Sequence, residues 1–287
     1  LKRHDIEYAE DYILFERFLH IQTPRLLLTA ADDAGGHHAI GRDCVYRAKQ
    51  AGIPTMVLQH GGWSTDDIWE MCKLPQYAFS SDRILLWGEW FYEGYIRRVN
   101  LEAGRLRIVG SPKFDDLHST DIDLANHSVR SRLEIDRCPY IVYPVSCLVG
   151  MKRRGNFSEQ EIVEFIRKIV GAVAAKYDGG VLVIKPHPTD FEYGTARFIQ
   201  RALDGIPPHK YRLLSSEEIS CLAEIIRGSF LTIVNQSTAA FESLALNVPV
   251  ISVIPDRISP GNDALHDGIV YTSIVAPIEQ IFEGLID

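Results

Sequence analysis

Between Ser229 and Val253 the chain runs through an apolar stretch, a polar turn, a helix-length segment and a second apolar stretch, and this order leaves few folds open. Residues 230–234 read as a buried strand that stops at Asn235-Gln236-Ser237-Thr238. Residues 239–246 read as a helix and 249–254 as a second buried strand. A helix between two fully apolar strands is the crossover unit of a parallel sheet, because parallel neighbours need a long connection. The turn places hydroxyls, amides and backbone N–H groups at a helix N-terminus, where unpaired donors and the helix dipole favour a phosphate or a sugar. Ser237 or Thr238 read equally well as a plain helix cap. On these residues alone both readings stand.

The same alternation fills the chain. Residues 1–22 carry apolar positions at roughly helical spacing. Short apolar strands are expected at 25–31, 55–59, 83–87, 105–109, 140–143, 181–184, 211–214 and 269–271. Helices are expected at 41–50, 195–203 and 219–227, with a last one from Pro277. Gly52 sits at a C-cap position. Ser158 with Glu161 three residues on forms a capping box for a long helix bearing Ile162, Phe165, Ile166, Ile169 and Val173 on one face. Residues 115–137 are polar and weakly periodic, the composition of a domain connection. The chain is therefore expected to be α/β, with two Rossmann-like domains, residues 1–122 and 123–287, whose parallel sheets face one another across a cleft. In such sheets ligands gather beyond the carboxyl ends of the strands.

A length of 287 residues accommodates two cores, and 46% hydrophobic with 24% charged residues is an ordinary soluble composition. The net charge of -8 argues against a nucleic-acid binder, whose affinity comes from clustered Lys and Arg. Five scattered cysteines with no CxxC make a zinc site or a disulfide framework unexpected and point to a reducing compartment. No apolar run reaches membrane-helix length and no signal peptide opens the chain. A cytoplasmic location follows, with peripheral attachment at the inner membrane face left open. The chain begins Leu1-Lys2-Arg3 without Met, as a segment of a longer polypeptide would.

Four polar clusters fall at expected strand ends. Asp32-Asp33 precedes glycines and suits a turn, with no metal-ligand spacing around it. Gln59-His60-Gly61-Gly62 offers a histidine whose pKa suits a general base, beside glycines that let a ligand approach; a structural histidine is the alternative. Lys185-Pro186-His187-Pro188 holds an imidazole in a stiffened loop next to a cation. Neutral, that ring hydrogen-bonds a diphosphate or sugar; protonated, it offsets leaving-group charge. A plain turn is the other reading. Glu242, one turn into the helix after residues 235–238, either faces the same turn or is solvated. No GxSxG elbow, Walker loop, GxGxxG or HExxH helix is present.

Gln59-His60-Gly61, the 109–115 segment Val-Gly-Ser-Pro-Lys-Phe-Asp, Lys185-Pro186-His187-Pro188, and Asn235-Gln236-Ser237-Thr238 followed by the 241–250 stretch occur in an order similar to that of GT-B glycosyltransferases of surface and capsule polysaccharide synthesis. The resemblance extends to their relatives, the β-Kdo and sialic-acid transferases, the teichoic-acid glycerophosphotransferases and the UDP-N-acetylglucosamine 2-epimerases. It covers the chain from about Arg25 and is strongest in the C-terminal half. It implies two Rossmann-like domains, with strands of the N-terminal one expected upstream of Arg25. It also implies a nucleotide-sugar donor on the C-terminal domain, a carbohydrate or lipid-linked acceptor, and neither catalytic metal nor other cofactor. Carried over by position, His187, Lys185, Asn235, Gln236, Ser237 and Thr238 contact the donor, with Glu242 on its ribose or base side. His60 becomes the catalytic base on the acceptor side; Asp32, Asp33 and Gly61 are further acceptor-side candidates from their own places at strand ends. Where the glycerophosphotransferases continue with a Thr-Pro-Leu-Lys-like stretch this chain has Gly62-Trp63-Ser64-Thr65, and the Pro-Glu-Glu/Asn-Arg segment of the epimerases is absent between Trp63 and Asp82.

Overall fold

The computed structural model describes residues 13–19, 21–30, 39–59, 79–89, 91–93, 96, 101–115, 117, 129–135, 138–146, 148, 157–215, 222–235, 237–254 and 269–273. The chain divides into two compact units, with the boundary between Pro112 and Lys113. In the first unit four strands, β1 (Leu27–Thr29), β2 (Thr55–Leu58), β3 (Arg83–Leu86) and β4 (Leu106–Ile108), lie side by side in sequence order and all pair in parallel. Helix α1 (Ala39–Gln50) crosses from β1 to β2 and buries Val45 and Ala48 completely. It ends where Gly52 adopts φ +73, which lets Ile53 N–H donate back to Ala48 O at 2.9 Å.

The second unit carries six parallel strands in the order β10-β9-β8-β5-β6-β7. They are β5 (Tyr140–Pro144), β6 (Val181–Lys185), β7 (Tyr211–Leu213), β8 (Leu231–Val234), β9 (Val250–Ile254) and β10 (Ile269–Ser273). Counted from β5, this is the doubly wound order, in which the winding reverses between the two strands flanking the first. Here β5 pairs β6 on one side and β8 on the other. Every residue of β5 and of β8 is buried, as expected of parallel strands covered on both faces. Period-two alternation splits β5 between two cores. Ile141 and Tyr143 join the cluster under α3 (Glu159–Lys176), with Ile162, Phe165, Ile166, Ile169 and Val173. Tyr140 and Val142 join Val129, Leu133, Ile225 and Ile226 on the opposite face. Val129 and Leu133 come from the stretch that reads as polar and aperiodic, so part of it packs as core.

Helix α3 starts at the expected capping box. Ser158 Oγ accepts from Glu161 N–H at 3.2 Å, and Glu161 Oε2 accepts from Ser158 N–H at 2.8 Å. Two short helices lie where the sequence gives no helical period: α2 (Pro112–Asp115) and α4 (Pro188–Glu192). Each opens on a proline, whose fixed φ suits the first helical position and whose missing N–H costs nothing there. The remaining crossovers are α5 (Ala196–Ala202), α6 (Leu222–Arg227) and α7 (Ala239–Ala245). After α7, Asn247 takes φ +57, and its N–H and that of Val248 donate to Leu244 O and Ser243 O at 3.0 and 2.9 Å. That is a Schellman stop with asparagine in the left-handed position. The helix expected from Pro277 lies outside the described residues.

Ile166 is fully buried between α3 and the sheet. Truncation in Ile166→Ala is expected to lower stability by about 2–5 kcal/mol, the range for a buried Ile cut to Ala, read as a lower urea midpoint with an unchanged m-value.

Candidate functional site

The reversal between β5 and β8 leaves a gap at the carboxyl edge of the second sheet, and the C-terminal motifs collect around it. Strand β6 ends in Lys185, only 8% exposed. Pro186 follows, and His187 then caps α4, its Nδ1 accepting from Thr189 N–H at 3.2 Å. An imidazole in place of the usual Ser, Thr or Asp fixes the tautomer. In the neutral ring the proton sits on Nε2, which leaves that nitrogen as a donor. Behind the ring, the fully buried Asp190 accepts from Leu148 N–H at 2.9 Å and from the Thr195 hydroxyl at 2.7 Å. That carboxylate binds the start of the loop after β5 to α4.

Across the gap, the turn after β8 divides its labour. Asn235 is buried, accepting from the Tyr143 hydroxyl at 2.6 Å and donating from Nδ2 to Val253 O at 2.9 Å. It also accepts at its backbone oxygen from the Ser146 hydroxyl. One side chain thus joins the carboxyl ends of β5, β8 and β9. Ser237 Oγ accepts from Ala239 N–H at 3.3 Å, and the Ala240 and Phe241 N–H groups are taken by the Ser237 and Thr238 carbonyls. Ser237 is therefore the capping hydroxyl, while the Thr238 side chain makes no cap bond.

Between these elements lies a cavity of about 600 Å³, wholly within the second unit. Lys185, His187, Ser237, Thr238 and Glu242 all line it, so five of the expected donor-side residues meet at one place. Asn235 is not on its wall and instead holds the turn. Two cations that the sequence did not single out also line it, Lys113 and Arg227. Lys113 Nζ pairs with the carboxylate of Glu242. Arg227 donates from Nη2 to Leu117 O. Arg227 closes its short helix, where a basic residue reads as ordinary dipole complementation. Lys113 had one signal, its place in the 109–115 motif.

Of the remaining candidates, His60, Gly61, Asp32, Asp33 and Gln236 lie outside the described residues. Gln59, beside His60 in sequence, is buried, and its side-chain oxygen accepts from Trp87 N–H at 3.0 Å, tying the end of β2 to the residue after β3. Among the described residues no group of three His, Cys, Asp or Glu is placed to hold a metal ion, and no helix is long and apolar enough to cross a membrane.

Burial is the main influence on the His187 imidazole and pulls it below its ordinary value of 6.5; Asp190 raises it and Lys185 lowers it. Protonation at Nδ1 would also set that nitrogen against the Thr189 N–H as two facing donors. With the folded value below the unfolded one, the unfolded chain binds more protons in between. The stabilisation is present above about pH 6.5 and is lost as pH falls through the folded value. An NMR titration is expected to place His187 below 6.5, and His187→Gln should remove part of the acid-side fall in urea stability.

A scan against protein-family models finds no match, nor does a search of curated protein sequences. Solved structures do match. Methanocaldococcus jannaschii UDP-GlcNAc 2-epimerase, in complex with UDP-GlcNAc and UDP, superposes with a TM-score of 0.68 at 14% identity, covering 100% of this chain and 76% of that one. The S. aureus MnaA–UDP co-structure gives 0.61 at 12% identity over 88% of this chain, which spans 64% of that protein's length. A glycosyltransferase from Rickettsia africae gives 0.57 at 10% identity, covering 100% of this chain and 73% of that one. At such identities the likeness is one of fold: the chain has the α/β fold, with two parallel Rossmann-like sheets, that these structures share.

Proposed function

We propose that this chain is a glycosyltransferase that moves a sugar from a nucleotide-activated donor to a carbohydrate or lipid-linked acceptor in surface polysaccharide synthesis. The observation that carries the reading is the cavity at the reversal of the second sheet, where Lys185, Arg227 and Lys113 stand around His187 and Thr238. With Lys113 paired to Glu242, Lys185 and Arg227 suit a ligand with two negative charges, and a doubly wound sheet binds nucleotides at this position. The donor phosphates take Lys185, Arg227, the Nε2–H of His187 and the Thr238 hydroxyl. Glu242, a buried acceptor on the same wall, takes a ribose hydroxyl.

In this scheme the acceptor hydroxyl loses its proton to His60 as its oxygen forms the new bond to the anomeric carbon. The bond from that carbon to the donor phosphate breaks with its electron pair, leaving the nucleotide. Negative charge then grows on the phosphate oxygens, to which Lys185, Arg227 and the neutral His187 N–H supply hydrogen-bond donors. Such fixed donors stabilise the transition state without reorganising. The donor is a UDP-sugar or CMP-Kdo in this reading.

In a thermal-shift series with UDP-, CMP-, GDP- and dTDP-sugars, one donor is expected to raise the melting point, as a ligand of the native state does. His187→Ala should then cut transfer from that donor about 10²–10³-fold, the cost of removing one such donor group, while the circular dichroism spectrum stays native. Near-wild-type turnover would remove His187 from the mechanism. Conversion of the donor in the absence of any acceptor would identify an epimerase instead.

A further inference from the structure

Two carboxylates line the cavity, and they are held differently. Glu224 pairs with Arg132, a residue off the wall, and both side chains stay more than two-fifths exposed. Glu242 is 4% exposed by side chain, and its partner Lys113 is itself on the wall and 53% exposed. The two come together from 129 residues apart. Lys113 is delivered by a backbone device: Gly110 takes φ +79, and Pro112 then starts α2, with Lys113 its second residue. Glu242 is delivered from the first turn of α7. A buried carboxylate needs a counter-charge. A half-exposed lysine on the same cavity wall supplies one while keeping part of its ammonium accessible to the contents.

We propose that Lys113 is a specificity-determining residue whose ion pair with Glu242 reads a ligand hydroxyl, with the ribose of a ribonucleotide as its ligand class. The inference rests on the nucleotide reading above and adds a second member to the ribose contact. A hydroxyl both donates and accepts. It donates to a carboxylate oxygen of Glu242 and accepts from the Lys113 ammonium, so the pair closes around it. A deoxyribose leaves that junction unfilled, with an ammonium and a buried carboxylate that lose water and gain nothing. Sites built to hydrogen-bond a hydroxyl discriminate strongly against the analogue without it, because their own polar groups are then left unpaired.

The test is equilibrium binding by calorimetry. The probes are whichever of UDP, CMP or GDP binds the wild-type chain, its 2′-deoxy and 3′-deoxy analogues, and inorganic pyrophosphate. Wild type is expected to prefer the ribonucleotide over one deoxy analogue by about tenfold or more, the scale of a hydrogen bond to a charged group. Lys113→Ala should collapse that ratio towards one. Lys113→Arg should restore most of it, and pyrophosphate binding should change little in either variant. An unchanged ratio in Lys113→Ala overturns the proposal. So does equal weakening of ribonucleotide, deoxy analogue and pyrophosphate, which would make Lys113 a phosphate ligand. A lower melting point in Lys113→Ala with the ratio intact also overturns it, since that is a structural role alone. If wild type binds none of UDP, CMP and GDP, the nucleotide reading itself falls, a result distinct from any change in the ratio.

Discussion

The reversal of winding between β5 and β8 is the constraint on which the second unit depends. Helices that follow β5 and β6 cover one face of the sheet, those that follow β7 and β8 cover the other, and the two sets diverge at the carboxyl edge. Something must hold the strand ends in register where the helices part. The hydrogen bonds around Asn235 do so, taking the Tyr143 hydroxyl from β5 and reaching the Val253 carbonyl in β9. Tyr143 is fully buried, and burial pushes its phenol far above the ordinary range, so it remains a neutral donor at any working pH. The polar atoms at this edge are spent on one another, and the side chains beyond them are left to a ligand.

Around the resulting gap, the cations divide into two kinds. Lys185 is buried at the end of a strand, where its position is set by the sheet. Lys113 and Arg227 reach in from short helices and are each already engaged by a partner, Glu242 and the Leu117 carbonyl. Such engagement limits how far a long flexible side chain wanders and so lowers the entropy lost when a ligand arrives. His187 adds a neutral donor, because burial and the Thr189 N–H both oppose a second proton. The site is therefore positive without depending on protonated histidine.

Much of this was legible in the chain. The strands of both units are short apolar runs closed by glycine or a polar turn, and their ends lie within two residues of those expected. The capping box of α3 is a local hydrogen-bond pattern and reads directly from Ser158 and Glu161. Lys185, His187, Ser237, Thr238 and Glu242 were nameable because each sits just past a recognisable strand, or one turn beyond. Helix α4 was not, since five residues opening on Pro188 carry no period to read. Val129 and Leu133 look like members of a polar linker, yet they are core because the lower face of the sheet lies against them.

The roles within the motifs were a different matter. The residues of Asn235-Gln236-Ser237-Thr238 are alike in polarity, and local sequence gives no means of separating a strand clamp from a cap or a ligand. Tertiary contacts separated them, since Asn235 meets Tyr143 and Val253 while Thr238 meets the cavity. The pairing of Lys113 with Glu242 likewise has no local signature, because it depends on the crossovers that bring α2 and α7 to one wall. The sequence by itself determined the parallel α/β architecture and the strand ends that bear polar groups, since hydrophobic period and turn chemistry act over a few residues. Which of those groups bind one another and which face open space was decided only by the folded sheet, because that depends on distances between residues far apart in the chain.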